Sequence, residues 1–211
     1  MMKLQSLWHL NLSRCRRMRR GSLACLRGLT ALQHLDISHS RDSYHNDLLV
    51  DLPNLTNNLK YLSLSHCYTL RYFTSHHKDL LDDFITSLTD LEHLDLSHNY
   101  KLAYLPKSIG SLKRLHTLDL TYCSNLMCLP DSICALGLQS LLLDGCSDAV
   151  LDQASSLVHY SQTLPVFKVR VDDVNGCSNL HLLEGIHVSE LRIRSLENVM
   201  SLEEANTPSV P

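Results

Sequence analysis

The chain has 211 residues, 44% of them hydrophobic and 6% aromatic, with 7 glycines and a formal net charge of −3. These values exclude a collagen-like or disordered polymer, and the absence of any run of 18 apolar residues excludes a helical membrane span. The charge is unevenly placed: residues 1 to 27 hold Lys3, Arg14, Arg16, Arg17, Arg19, Arg20 and Arg27 with no acid.

In chain order, a block reading L-x-x-L-x-L-x-x-C recurs six times. The blocks are Leu7-Leu10-Leu12-Cys15, Leu32-Leu35-Ile37-Ser40, Leu59-Leu62-Leu64-Cys67, Leu91-Leu94-Leu96-Asn99, Leu115-Leu118-Leu120-Cys123 and Leu138-Leu141-Leu143-Cys146. Successive second leucines lie 25, 27, 32, 24 and 23 residues apart, the period of a leucine-rich repeat with insertions in two units. Alternation such as Leu10-x-Leu12 predicts a short strand with one buried face. One unit cannot bury its own leucines, so the units are expected to stack into a solenoid. The predicted fold is α/β, with a concave parallel sheet and a mostly irregular convex side.

The ninth position is read as structural, because cysteine, serine and asparagine alternate there. That reading covers four of the 8 cysteines. Reduced thiols are expected, since a bridge would have to join unlike repeat positions, with at least one disulfide as the alternative; zinc is disfavoured because no C-x-x-C pair occurs.

Two units show the rest of the cycle, Leu102-x-x-Leu105-Pro106-Lys107-Ser108-Ile109 and Leu126-x-x-Leu129-Pro130-Asp131-Ser132-Ile133. Leucine anchors the returning chain, and proline fixes its own φ and is expected to deny a helix there. The third unit inserts about a dozen residues between Phe73 and Ile85, expected to bulge from the convex or lateral edge. Six repeats thus fill 1–151. An irregular connection is expected over 152–163. Degenerate repeats seven and eight, around Val166 to Val171 and Leu191 to Ile193, are assigned to 164–199, with a tail at 200–211.

Outward strand positions form a polar strip rich in histidine, tyrosine and aspartate. No nucleophile, base and orienter stand in recognisable relation within it, and no H-E-x-x-H pattern accompanies the 13 histidines, so no catalytic residue, metal or cofactor is expected. The strip reads as a recognition surface centred on Tyr61, His66, His93, Asp95, His98, Asp119 and Tyr122, against the plainer reading of solvated strand residues. The basic cluster Arg14, Arg16, Arg17, Arg19 and Arg20 is a secondary patch, with a solvated loop as its plainer reading. Nucleic-acid binding lacks support, because no aromatic residues interleave with those arginines.

The cycle from Leu115 to Ile133 resembles the repeat domain of plant intracellular disease-resistance proteins of the nucleotide-binding, leucine-rich-repeat type. Leu191-Arg-Ile193-Arg-Ser-Leu196-Glu197-Asn198-Val199, followed by Glu203-Glu204-Ala205, is similar to a segment of cereal members with an N-terminal coiled coil. The resemblance implies a non-enzymatic, cytoplasmic module in immune signalling. Its partner would be a pathogen effector, a guarded host protein or the receptor's own nucleotide-binding domain, which it would hold inactive. No G-x-x-x-x-G-K-[ST] occurs, so no nucleotide site is expected in this chain, which reads as a fragment or truncated paralogue. The alternative is a general intracellular repeat scaffold unrelated to immunity.

Overall fold

A computed structural model describes residues 5–15, 23, 26, 28–40, 58–67, 70, 78–156, 166–171, 178–183 and 192–199. Within them, each L-x-L core of a block becomes a three-residue strand: β1 (His9–Asn11), β2 (His34–Asp36), β3 (Tyr61–Ser63), β4 (His93–Asp95), β5 (Thr117–Asp119) and β6 (Ser140–Leu142). All six pair in parallel and in chain order. The register puts Leu10, Leu35, Leu62, Leu94, Leu118 and Leu141 side by side. From Leu35 onward these leucines are buried, while the residues flanking them in the strand mostly face outward. Leu7, Leu10 and Leu12 of the first block only partly bury against this core.

Behind the sheet, the third unit's insertion leaves the register of β3 and β4 intact. The third unit folds as α1 (Lys78–Thr86), whose Phe84 and Ile85 are buried in the common core. The described part of the expected bulge, from residue 78 on, is therefore a helix of the convex layer. Apolar residues at its end extend the leucine core, which offsets the entropy of ordering the inserted segment.

The proline units also differ from expectation. Pro106 and Pro130 cap five-residue 3-10 helices, Lys107–Ser111 and Asp131–Ala135, with φ of −71° and −70°. Proline denies an α-helical conformation to the residue before it, but its fixed φ suits the residue that opens a helical turn. Ile109 and Ile133 then point into the core. The two turns pack so closely that a Cβ on Gly110 would lie 2.6 Å from Ser132 Cβ and 2.7 Å from Ser132 O.

A second helix, α2 (Asp148–Ser156), occupies the first part of the stretch expected to be irregular. Its Gln153 side chain pairs with the backbone of Leu129, accepting from the amide and donating to the carbonyl at 2.7 Å each. The amide group thus behaves as a surrogate strand and fixes the polar helix to the repeat before it. After α2, β7 (Val166–Lys168) and β8 (Arg192–Arg194) form a separate parallel pair. Phe167 and Val169 are the buried centre there, with Leu180, Leu183 and Val199 against them. Asn198 donates to Val169 O at 2.9 Å, which gives one residue of the Leu-Glu-Asn-Val segment a structural task. Lys168 ties this pair to α2 through Asp148 and Asp152 at 3.1 and 3.7 Å.

Candidate functional site

Three columns of side chains run across the outward face of the sheet. The first stands at the opening position of each strand, where His9 stacks on His34 (ring centroids 4.1 Å apart), His34 on Tyr61 (3.9 Å, planes 1° apart) and Tyr61 on His93 (4.6 Å). Trp8 meets the end of this ladder edge to face. Parallel strands repeat at about 4.8 Å, so like-placed rings meet near their preferred separation.

The second ladder lies past the strand ends. His39, His66, His98 and Tyr122 stack in turn at 4.3, 4.2 and 4.7 Å. All four hold left-handed φ values between 53° and 60°. That conformation disfavours bulky residues, yet here it directs each amide onto the next repeat. His39 N donates to Ser65 O (2.8 Å), His66 N to Ser97 O (3.0 Å), His98 N to Thr121 O (2.6 Å) and Tyr122 N to Asp144 O (2.6 Å). Arg14 opens this column and Gly145 closes it, both also left-handed. The Tyr122 ring lies over Gly145, where a Cβ would approach Cδ1 to 2.4 Å.

Between the ladders runs a row of acceptors at the third strand position. Asp36, Asp95 and Asp119 accept the amides of Ser38, Ser97 and Thr121 at 2.9, 2.9 and 2.8 Å. Asn11 does the same for Ser13 at 2.8 Å. Neighbouring units are laced together as Ser63 Oγ donates to Asp95 (2.7 Å) and Ser97 Oγ to Ser65 (2.9 Å).

Burial sets the ionisation of this strip. It lowers the pKa values of His34, His66 and His93, and neighbouring imidazoles lower the first two further. Tyr61 is raised by burial and by the carboxylates of Asp95 and Asp36. Both directions favour the uncharged form of these four rings near pH 7.

The residues predicted from sequence are distributed as follows. Tyr61 and His93 stand in the first ladder, His66, His98 and Tyr122 in the second, and Asp95 and Asp119 between them. His9, His34 and His39 complete the ladders and were not among the predicted central residues, although their repeat positions mark them. Arg14 is exposed at the head of the second ladder; Arg16, Arg17, Arg19 and Arg20 lie outside the described residues.

Beneath the strip, the ninth-position column is structural. Cys67 donates to Ile37 O (3.3 Å), Cys123 to Leu96 O (3.2 Å) and Cys146 to Leu120 O (3.1 Å), each reaching the preceding repeat. Asn99 reaches Leu64 O at 2.9 Å from the same place. Burial pushes the thiols of Cys67 and Cys123 up to about 12 and that of Cys146 to about 11. All three are free cysteines.

The ladder rings lie face to face, so their nitrogen lone pairs occupy parallel planes and do not converge. Among the described residues no group of three or more histidine, cysteine or acidic side chains is arranged to hold a metal ion. No helix among them is long and apolar enough to cross a membrane.

Residues 90–112, which span β4 and the turn into the next unit, match the family model described as Leucine Rich Repeat. The fold is a leucine-rich-repeat solenoid. Among solved structures, the chain is similar to a leucine-rich-repeat protein of Leptospira interrogans, with 26% identity over 78% of this chain and a TM-score of 0.47. It spans 43% of that protein's length. An internalin of Listeria monocytogenes matches at 15% identity over 90% of this chain and 69% of its own, with a TM-score of 0.34. No curated protein matches the sequence significantly.

Proposed function

We propose that the chain is a non-enzymatic, protein-binding leucine-rich-repeat module that engages its partner on the concave face. The observation that carries this reading is the pair of ring ladders, which crosses adjacent repeats on the solvent side of the sheet. A stable interface needs roughly 800 Å² on each partner, more than one three-residue strand offers. A face spanning several units supplies that area, and Tyr61 and Tyr122 supply the amphipathic bulk from which binding hot spots are built.

The finer reading places the module in cytoplasmic plant immune signalling, as a recognition or autoinhibitory segment of a disease-resistance receptor. It rests on the sequence resemblance of Leu115–Ile133 and of Leu191–Val199. Its partner would be a pathogen effector, a guarded host protein or the receptor's nucleotide-binding domain. Unbridged buried thiols suit a reducing compartment.

The test is capture from pathogen-challenged cereal leaf extract on the immobilised chain, in parallel with a combined Tyr61→Ala, His93→Ala, Tyr122→Ala variant. Bound proteins are expected to disappear from the variant at unchanged circular dichroism. Equal capture by a folded variant would move the site off this face. A transcript joining this segment to an upstream nucleotide-binding domain is expected under the immune reading; transcripts lacking one would favour a general scaffold.

A further inference from the structure

The solenoid explains where the groups of the concave face stand but leaves their chemistry unaccounted for. In β1 to β5 the third strand position supplies an oxygen for the amide two residues on, while β6 carries Leu142 there. Asn11 and Ser63 supply it without charge, at 2.8 and 3.4 Å, whereas Asp36, Asp95 and Asp119 bring a carboxylate to the same task. Asp95 stands in direct register with Asp119, and like charges opposite each other on adjacent strands oppose folding. No lysine or arginine occurs in β2 to β5 or in the three residues after each. Asn11 and Ser63, whose side chains donate to Asp36 and Asp95, are neutral. The second ladder shows a parallel excess, since Gly145 meets its backbone requirement with no ring at all.

The carboxylates and both ladders form one electrostatic unit. Asp95 acts on Tyr61 and His93 in the first ladder and on His66 in the second. An anionic floor thus runs between two walls whose ring edges offer apolar C–H surface and, on neutral imidazole, a nitrogen acceptor. A long cationic side chain is complementary to all three features: its stem packs on apolar edges and its head meets carboxylate and imidazole nitrogen.

We propose that this groove takes a partner-protein segment presenting arginine or lysine, with the cationic heads over Asp36, Asp95 and Asp119 and the stems against the flanking rings. The proposal rests on the protein-binding reading above and adds the chemistry of the partner.

The probe is a fluorescent peptide of alternating arginine and glycine, titrated into the full chain by anisotropy at neutral pH, beside a peptide with glutamate in place of arginine. Asp95→Asn with Asp119→Asn keeps the amide-accepting oxygen, as Asn11 does, and removes two charges. Asp83→Asn with Asp131→Asn removes the same charge from exposed convex positions. The concave pair is expected to weaken arginine-peptide binding about tenfold, in the range of close charge pairs at interfaces. The convex pair and the glutamate peptide are expected to show little change and no binding, respectively.

Equal weakening by both pairs would reduce the effect to net charge and overturn the proposal, as would failure of the arginine peptide to bind. If that failure is accompanied by capture that still depends on Tyr61, His93 and Tyr122, the protein-binding reading stands without a cationic partner. If ring-dependent capture is lost as well, both readings fall.

Discussion

Leu118 and Asp119 are adjacent in β5 and have opposite duties. Leu118 is 0% exposed between Leu94 and Leu141, so Leu118→Ala removes atoms that cannot be replaced by local collapse and should cost about 2–5 kcal/mol in urea unfolding. Asp119→Asn keeps the oxygen that accepts the Thr121 amide at a half-buried position and should cost under about 1 kcal/mol, since that hydrogen bond is retained. Equal losses would mean that the strand faces are reversed. The thiols divide in the same way. With pKa values pushed up to about 12, Cys67 and Cys123 hold almost no thiolate near pH 8, while Cys128 is exposed. Alkylation of the native protein should label Cys128 ahead of Cys67 and Cys123, which should react only on unfolding, since the thiolate is the nucleophile. Early labelling of the column, followed by mass spectrometry, would contradict its buried, hydrogen-bonded placement.

At the scale of elements, the strands were legible because two buried leucines separated by one outward residue admit few other local structures. The convex layer was less so. The segment containing Lys78–Thr86 reads as an insertion because it interrupts the leucine period, yet its own apolar residues supply a helical face. The start of 152–163 looks irregular because helix-compatible polar residues such as Gln153 find their partners in another repeat, which no local pattern reveals. The prolines misdirect for a physical reason: Pro106 and Pro130 forbid what precedes them and permit the 3-10 turn that follows. That turn gives a sharp test, because Gly110 packs against Ser132 more tightly than any Cβ tolerates. The atoms it would meet include backbone, which cannot swing aside. Gly110→Ala should therefore cost about 1–3 kcal/mol, the range of overpacked sites. A gain in stability instead would show that the two convex turns can separate freely.

Over the whole molecule, the ring ladders are a product of register. The histidine columns were visible in the sequence, but spacings of 27 and 32 residues around the third unit obscured their continuity. They run unbroken because β2, β3 and β4 stay in register across both spacings. The left-handed backbone of the second ladder was not legible, since histidine and tyrosine carry no glycine-like signal for it. This assembly makes stability depend on pH in a definite direction. The imidazoles of His34, His66 and His93 are depressed chiefly by burial, with His9 acting on His34, and His39 and His98 on His66. Asp36 opposes the shift at His34, Asp95 at His66, and Asp95 with Asp119 at His93. In the unfolded chain these groups take up protons near the ordinary value of about 6.5, whereas the folded chain takes them up only at lower pH. The unfolded state therefore binds more protons over that interval, and stability must fall as pH drops below about 6.5, levelling once the folded-state pKa values are passed. Because the rings are partly exposed, solvent screens each contribution. The urea midpoint should thus decline from pH 7.5 to pH 5.5. A combined His34→Phe, His66→Phe, His93→Phe variant, which keeps stackable rings, should flatten that decline; an unchanged slope would place the pH dependence outside the ladders.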